Sequence, residues 1–216
     1  VGVSYTSNLM AVDTQAEITE STITEAVDVK VEAVSGGSIH SAGSSSSLTI
    51  GIGSNVSLGF LGTFIINVIE GKTIATVDSS SVETVQAAGE SSDLIVTATD
   101  KSSVSALAIA GHLGVTAKVT SWAATVEVPY STARSWVENE VRAEITDDAS
   151  KQSGSVESDA DEEVQHDYEI AGDLLVRASD ESQLVSQNDS VGFDVSGSSK
   201  VAVTVTASSA VSNNTV

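Results

Sequence analysis

One phrase is written three times along this chain, and internal repetition constrains a fold more tightly than any local signal does. Asp93-Leu94-Ile95-Val96-Thr97-Ala98-Thr99-Asp100 returns as Asp173-Leu174-Leu175-Val176-Arg177-Ala178-Ser179-Asp180. A looser copy is Asp28-Val29-Lys30-Val31-Glu32-Ala33-Val34-Ser35. A second marker runs alongside it: Ala16-Glu17-Ile18, Ala75-Thr76-Val77 and Ala143-Glu144-Ile145. From acidic marker to the next alanine marker the distance is 75 − 28 = 47 and then 143 − 93 = 50. From alanine marker to acidic marker it is 28 − 16 = 12, then 93 − 75 = 18, then 173 − 143 = 30. One half of the repeat is nearly constant and the other absorbs insertions. A solenoid behaves this way, because its coil is fixed and loops grow on one side.

Between the markers lie apolar runs with period-two alternation, the sign of a strand with one buried face. They are Val1–Tyr5, Leu48–Ile52, Leu113–Val119 and Val201–Ala207, read here as one recurring third element. Few helix signals compete. The segment Ser131–Val141 is compatible with a short helix capped by Ser131, but a further coil with an outward Trp136 is the plainer reading. The serine run in 41–47 reads as a polar outer edge of a coil rather than a flexible linker. Strands about five residues long would divide each repeat of about 65 residues into roughly three turns of about 20. The expected fold is all-β: a right-handed parallel β-helix of about ten coils with loop insertions. At about 4.8 Å per coil it would form a rod roughly 45 to 50 Å long.

Composition supports this reading and excludes others. Aromatic residues make up only 4%, so any core must be built from Val, Ile, Leu and Ala, side chains that suit stacked strands. A net charge of −21 and a pI near 4.1 argue against nucleic acid and against an anionic membrane surface. The chain has no cysteine, which removes disulfide frameworks, zinc ribbons and thiol catalysis together. No run of eighteen apolar residues encodes a membrane-spanning helix. The first residue is Val, residues 1–12 carry no basic stretch, and Asn213–Val216 stops in mid-pattern. The expectation is one β-helix segment, 1–216, cut from a longer repeat protein, with an acidic loop inserted at 150–170.

These residues resemble a family. An Asn-led Ala-x-Ile element, as in Asn139-Glu140-Val141-Arg142-Ala143-Glu144-Ile145, is followed by Gly172-Asp173-Leu174-Leu175-Val176-Arg177-Ala178-Ser179-Asp180 and a Gly/Ala/Val-rich pair of strands. That order is similar to the β-helical repeat regions of very large bacterial surface and secreted proteins, the leukotoxin-like and haemagglutinin-like adhesins. The resemblance implies a right-handed parallel β-helix in an extracellular or surface-displayed protein. The long acidic insertion and uneven spacing depart from the family pattern.

Candidate chemistry is sparse. Asp159, Asp161, Glu162 and Glu163, with Asp147 and Asp148 nearby, offer hard oxygen ligands for Ca²⁺, but neither an EF-hand loop nor a glycine-aspartate nonapeptide frames them. A solvated acidic loop is the plainer reading, so no cofactor is expected beyond that Ca²⁺ candidate. His40, His112 and His166 are isolated in sequence and read as surface or turn residues. Asp28, Asp93 and Asp173 share one phase and read as turn residues whose carboxylates accept from backbone N–H groups two residues on. Arg134, Arg142 and Arg177 show no common phase, and no Gly-x-Ser-x-Gly elbow occurs. No enzyme activity is expected. The expected role is structural: a segment of an extracellular stalk, sheath, fibre or adhesin. Its partners would be neighbouring repeats of the same polypeptide or like subunits end to end, with a host-cell or polysaccharide receptor as a further partner. The alternatives are a carbohydrate-active β-helix and a passenger segment of a secreted toxin.

Overall fold

The computed structural model describes residues 2–52, 56–87, 92–118, 122–146, 167–198, 201–206 and 209–215. Every element there is a β-strand, and every pairing is parallel. The strands, numbered in chain order, stack into four columns. Sheet A stacks β1 (Gly2–Thr19), β5 (Val56–Asp78) and β9 (Trp122–Thr146), then β13 (Val201–Thr206) and β14 (Ser209–Thr215) end to end on β9. Sheet B stacks β2 (Thr22–Ala26), β6 (Ser81–Thr84) and β10 (Tyr168–Glu169). Sheet C stacks β3 (Val29–Ser35), β7 (Leu94–Asp100) and β11 (Leu174–Asp180). Sheet D stacks β4 (Ser38–Ile52), β8 (Ser103–Lys118) and β12 (Gln183–Ser198). The chain visits A, B, C and D in order and then begins again, which is a β-solenoid.

Both sequence markers are structural columns. Ala16 pairs with Ala75 and Ala75 with Ala143, while Ile18, Val77 and Ile145 align beside them in sheet A. Val29, Leu94 and Leu174 align in sheet C. The coil number differs from the expectation. Successive layers are offset by 75 − 16 = 59 and 143 − 75 = 68 residues in sheet A, and by 94 − 29 = 65 and 174 − 94 = 80 in sheet C. One repeat is therefore one coil, not three. The described chain makes three circuits and starts a fourth, a stack about 14 Å high at about 4.8 Å per layer, instead of ten coils in a rod of 45 to 50 Å. The reason is strand length. β1, β5 and β9 run for 18, 23 and 25 residues, because Gly62, Gly71 and Pro129 do not end them. Pro129 lies inside β9, in register with Leu61 of β5.

Three smaller expectations also change. The apolar runs do not form one column: residues 2–5 lie in sheet A, whereas Leu48 pairs with Leu113 in sheet D. Residues 131–141 are strand, not helix, and Trp136 stacks on Val68 and, below it, Leu9. The serine run is not only an outer edge. Residues 41–47 lie within β4, and Ser41, Ser45 and Ser47 point inward to hydrogen-bond partners.

The corners explain how the coil closes. Glu20 and Ser79, equivalent residues between A and B, take left-handed conformations (φ 49° and 47°). Each donates its N–H to the next layer, Glu20 to the Asp78 carbonyl at 3.1 Å and Ser79 to the Thr146 carbonyl at 2.9 Å. At the start of sheet C the three aspartates form a ladder. Asp28 Oδ1 accepts from the Asp93 N–H at 3.0 Å, and Asp93 Oδ1 accepts from the Asp173 N–H at 2.8 Å. The acceptor relation runs one coil on, not two residues on as expected. The two-residue pattern occurs instead where C turns into D: Asp100 accepts from the Ser102 N–H and Asp180 from the Ser182 N–H, both at 2.9 Å.

Sheet A is long enough to face C and D in succession, so the cross-section has two regions. Where A, B and C meet, the interior is a dry wedge of Val29, Val31, Val77, Val82, Leu94 and Val96. Where A faces D alone, the section flattens into a blade. Its interior begins with an aliphatic cluster of Ile39, Ile69, Val104 and Val137 and continues, smaller and more polar, with Ala106, Ala108 and Ala133 around Ile65. Thr63 bonds both Ser45 and the Ile109 carbonyl at 2.7 Å, and Asn8, Asn67 and Ser41 form a relay at 2.8 Å per link. The outer faces of the blade reverse the usual pattern. Leu9, Leu48, Ile50, Leu58 and Phe193 are each at least 61% exposed.

Candidate functional site

Near the blade end far from the wedge, three titratable side chains converge inside the coil. His112 points inward from β8, Glu127 from β9 and Asp194 from β12. His112 Nε2 lies 3.1 Å from Glu127 Oε1 and 3.4 Å from Asp194 Oδ1, and all three side chains are at most 1% exposed. One ligand atom from each lies within 4.8 Å of the others. On the other side of the imidazole, Nδ1 is 2.6 Å from Ser47 Oγ, one coil below. Nε2 stands at ion-pair distance from both carboxylate oxygens but poorly aligned for a hydrogen bond to either.

Strand alternation and vertical register build this cluster together. His112 is on the inward phase of β8, with Ala110, Ala108 and Ala106. The column Ser47–His112–Gly192 gives the imidazole one hydroxyl and one glycine as vertical neighbours. Asp194 stands over Gly114, and Glu127 stands over Gly59. A Cβ at Gly114 would run into Asp194 Oδ1, and a Cβ at Gly59 would run into the Glu127 carboxylate. The two glycines are the space the carboxylates occupy. Burial pushes the Glu127 carboxyl above the usual carboxylate range; Asp194 adds to that rise, and the adjacent imidazole opposes it.

The sequence reading missed this site. His112, expected at the surface or in a turn, is buried, whereas His40 is exposed on β4 as expected. Asp159, Asp161, Glu162 and Glu163, with Asp147, Asp148 and His166, lie outside the described residues. The missed signal was vertical. A histidine and two acids on inward phases, each with a glycine at the neighbouring coil position, become visible only once the register is known.

Two of the recesses on the outer face of sheet A bear on function. One of about 270 Å³ is lined by Tyr5, Phe64, Tyr130 and Arg134, with the Phe64 and Tyr130 rings 5.5 Å apart and tilted by 43°. The other, about 520 Å³, is lined by Glu17, Asp78, Arg142 and Glu144 among others. There Arg142 Nε sits 3.4 Å from Glu144 and 3.8 Å from Glu140.

The class these features define is a parallel β-solenoid with a buried histidine–carboxylate cluster. No family model, curated protein or solved structure matches the chain.

Proposed function

We propose that this chain is a structural segment of an elongated extracellular bacterial stalk, sheath or adhesin. Its coil is right-handed, as nearly all parallel crossover connections are. The observation that carries the reading is the state of the core columns at the open end. In sheet C, Val31 is 4% exposed and Val96 0%, but Val176, in the same column, is 42% exposed. Leu174, above the fully buried Leu94, is 56% exposed. These are core side chains that one more parallel layer would cover, and the edges of β11 and β12, which no described strand pairs on that side, would accept such a layer. The occupants proposed are the next coil of the same polypeptide or the end of a like subunit.

The reading assigns no catalysis. The histidine–carboxylate cluster is sealed from solvent, out of reach of a polymer substrate. Two measurements test it. Antibodies raised against the fragment should label intact producing cells, and labelling only after lysis would overturn the reading. Small-angle scattering of the fragment should show end-to-end lengthening with concentration, lost in Val176→Asp. Polysaccharide binding is a second reading, favoured by the Tyr5–Phe64–Tyr130 recess beside Arg134. It would require retention on a polysaccharide column that Tyr130→Ala abolishes, and release of reducing ends would mark a carbohydrate-active enzyme instead.

A further inference from the structure

The geometry points to a divalent transition-metal site, of the kind Zn²⁺ fills, formed by His112, Glu127 and Asp194 and joining two coils inside the blade. The ligand set is one imidazole nitrogen and two carboxylate oxygens. Metal–ligand bonds of about 2.0–2.2 Å in a tetrahedral zinc site put neighbouring ligand atoms about 3.3–3.5 Å apart. The observed 3.1 and 3.4 Å separations sit close to that edge length. A hard cation such as Ca²⁺, which takes six to eight oxygens, fits this nitrogen-bearing, three-residue set poorly.

Three further observations point the same way. His112 Nε2 and Glu127 Oε1 are buried and face each other 3.1 Å apart but off hydrogen-bond alignment, an arrangement that a cation between them would satisfy. Ser47 Oγ, 2.6 Å from Nδ1, stands where the outer partner of a metal-binding imidazole would, and with the proton on Nδ1 the Nε2 lone pair would face the cluster. Gly59 and Gly114 keep the space for both carboxylates. His112 belongs to the second coil, while Glu127 and Asp194 belong to the third. A bound ion would therefore fasten adjacent layers where the interior has least apolar surface to bury.

The test is Zn²⁺ binding to the whole chain after treatment with a chelator. Native mass spectrometry should show one tightly held Zn²⁺ per chain. The unfolding midpoint should rise by about 5–10 °C at a hundredfold excess over Kd. His112→Gln and Asp194→Asn should each lose the tight equivalent and most of the rise, whereas His40→Gln should keep both. No stoichiometric binding, or binding that persists unchanged in both site variants, would overturn the proposal, the latter by placing the ion on the acidic surface. Should those variants not fold, Co²⁺ added to the unaltered chain decides: visible bands of four-coordinate intensity support the site, and only the weak spectrum of the aqueous ion refutes it.

Discussion

The wedge and the blade solve the same stacking problem with opposite chemistry. In the wedge, columns such as Val31–Val96–Val176 and Ala16–Ala75–Ala143 run inward, and charged residues such as Lys30 and Glu32 point out. Burying aliphatic surface at roughly 25 cal/mol per Å² supplies the stability there. In the blade, two sheets face each other with no third side to fill. Ile39, Ile69, Val104 and Val137 form an aliphatic cluster there, and beyond it Leu61 and Ile65 lie among inward Ala, Gly, Ser, Thr and Asn. Order there comes also from hydrogen bonds that link layers, Asn8 to Asn67 and Ser47 to His112, and from the glycines that make room for Glu127 and Asp194. The comparison teaches that one parallel ladder tolerates either kind of interior.

Substitutions can break or sharpen that contrast. The largest effect is expected from Val96→Asp, which puts a charge at a fully buried wedge position: a loss of about 4 kcal/mol or more, read as failure to reach the native circular-dichroism signal in a urea titration. Gly59→Ala in the blade should cost about 2 kcal/mol by overpacking against Glu127, and most of that should vanish in a Glu127→Ala background. A penalty equal in both backgrounds would show that the glycine does not serve the carboxylate. Asn67→Ala should cost about 1–3 kcal/mol, because it orphans buried partners on either side. A negligible cost would mean that the blade is held by its ladders alone. Asp93→Ala removes one exposed rung of the aspartate ladder and should cost about 1 kcal/mol in the same titration. Phe193→Lys on the outer blade face should change stability by no more than about 0.5 kcal/mol while reducing binding of an apolar fluorescent dye.

Much of the fold was legible, and the reason is specific. The aspartate-led and alanine-led markers kept their internal spacing, so their alignment as columns of sheets C and A followed from the letters. The acidic loop expected at 150–170 lies largely outside the described residues, and its last part is not loop: Tyr168–Glu169 is β10, paired with β6. Coil length was not legible, because Gly62, Gly71 and Pro129 look like turn signals yet lie within strands. The site was less legible still. His112, Glu127 and Asp194 have no shared motif, and the sequence separations of 15 and 67 residues match no ligand spacing (127 − 112 and 194 − 127).

The order of residues alone determined an all-β solenoid, its repeat of about 65 residues and the inward phase of its two marker phrases, because those depend on recurrence along the chain; in Leu48–Ile52 and Leu113–Val115 the aliphatic phase, read as a buried face, points outward instead. Only the tertiary structure decided that each repeat closes a single wide coil with a dry wedge and a polar blade, and that one histidine meets two carboxylates there. Those outcomes depend on where one layer comes to rest on the next. Vertical register is set by how side chains of distant segments fit, which no single segment contains.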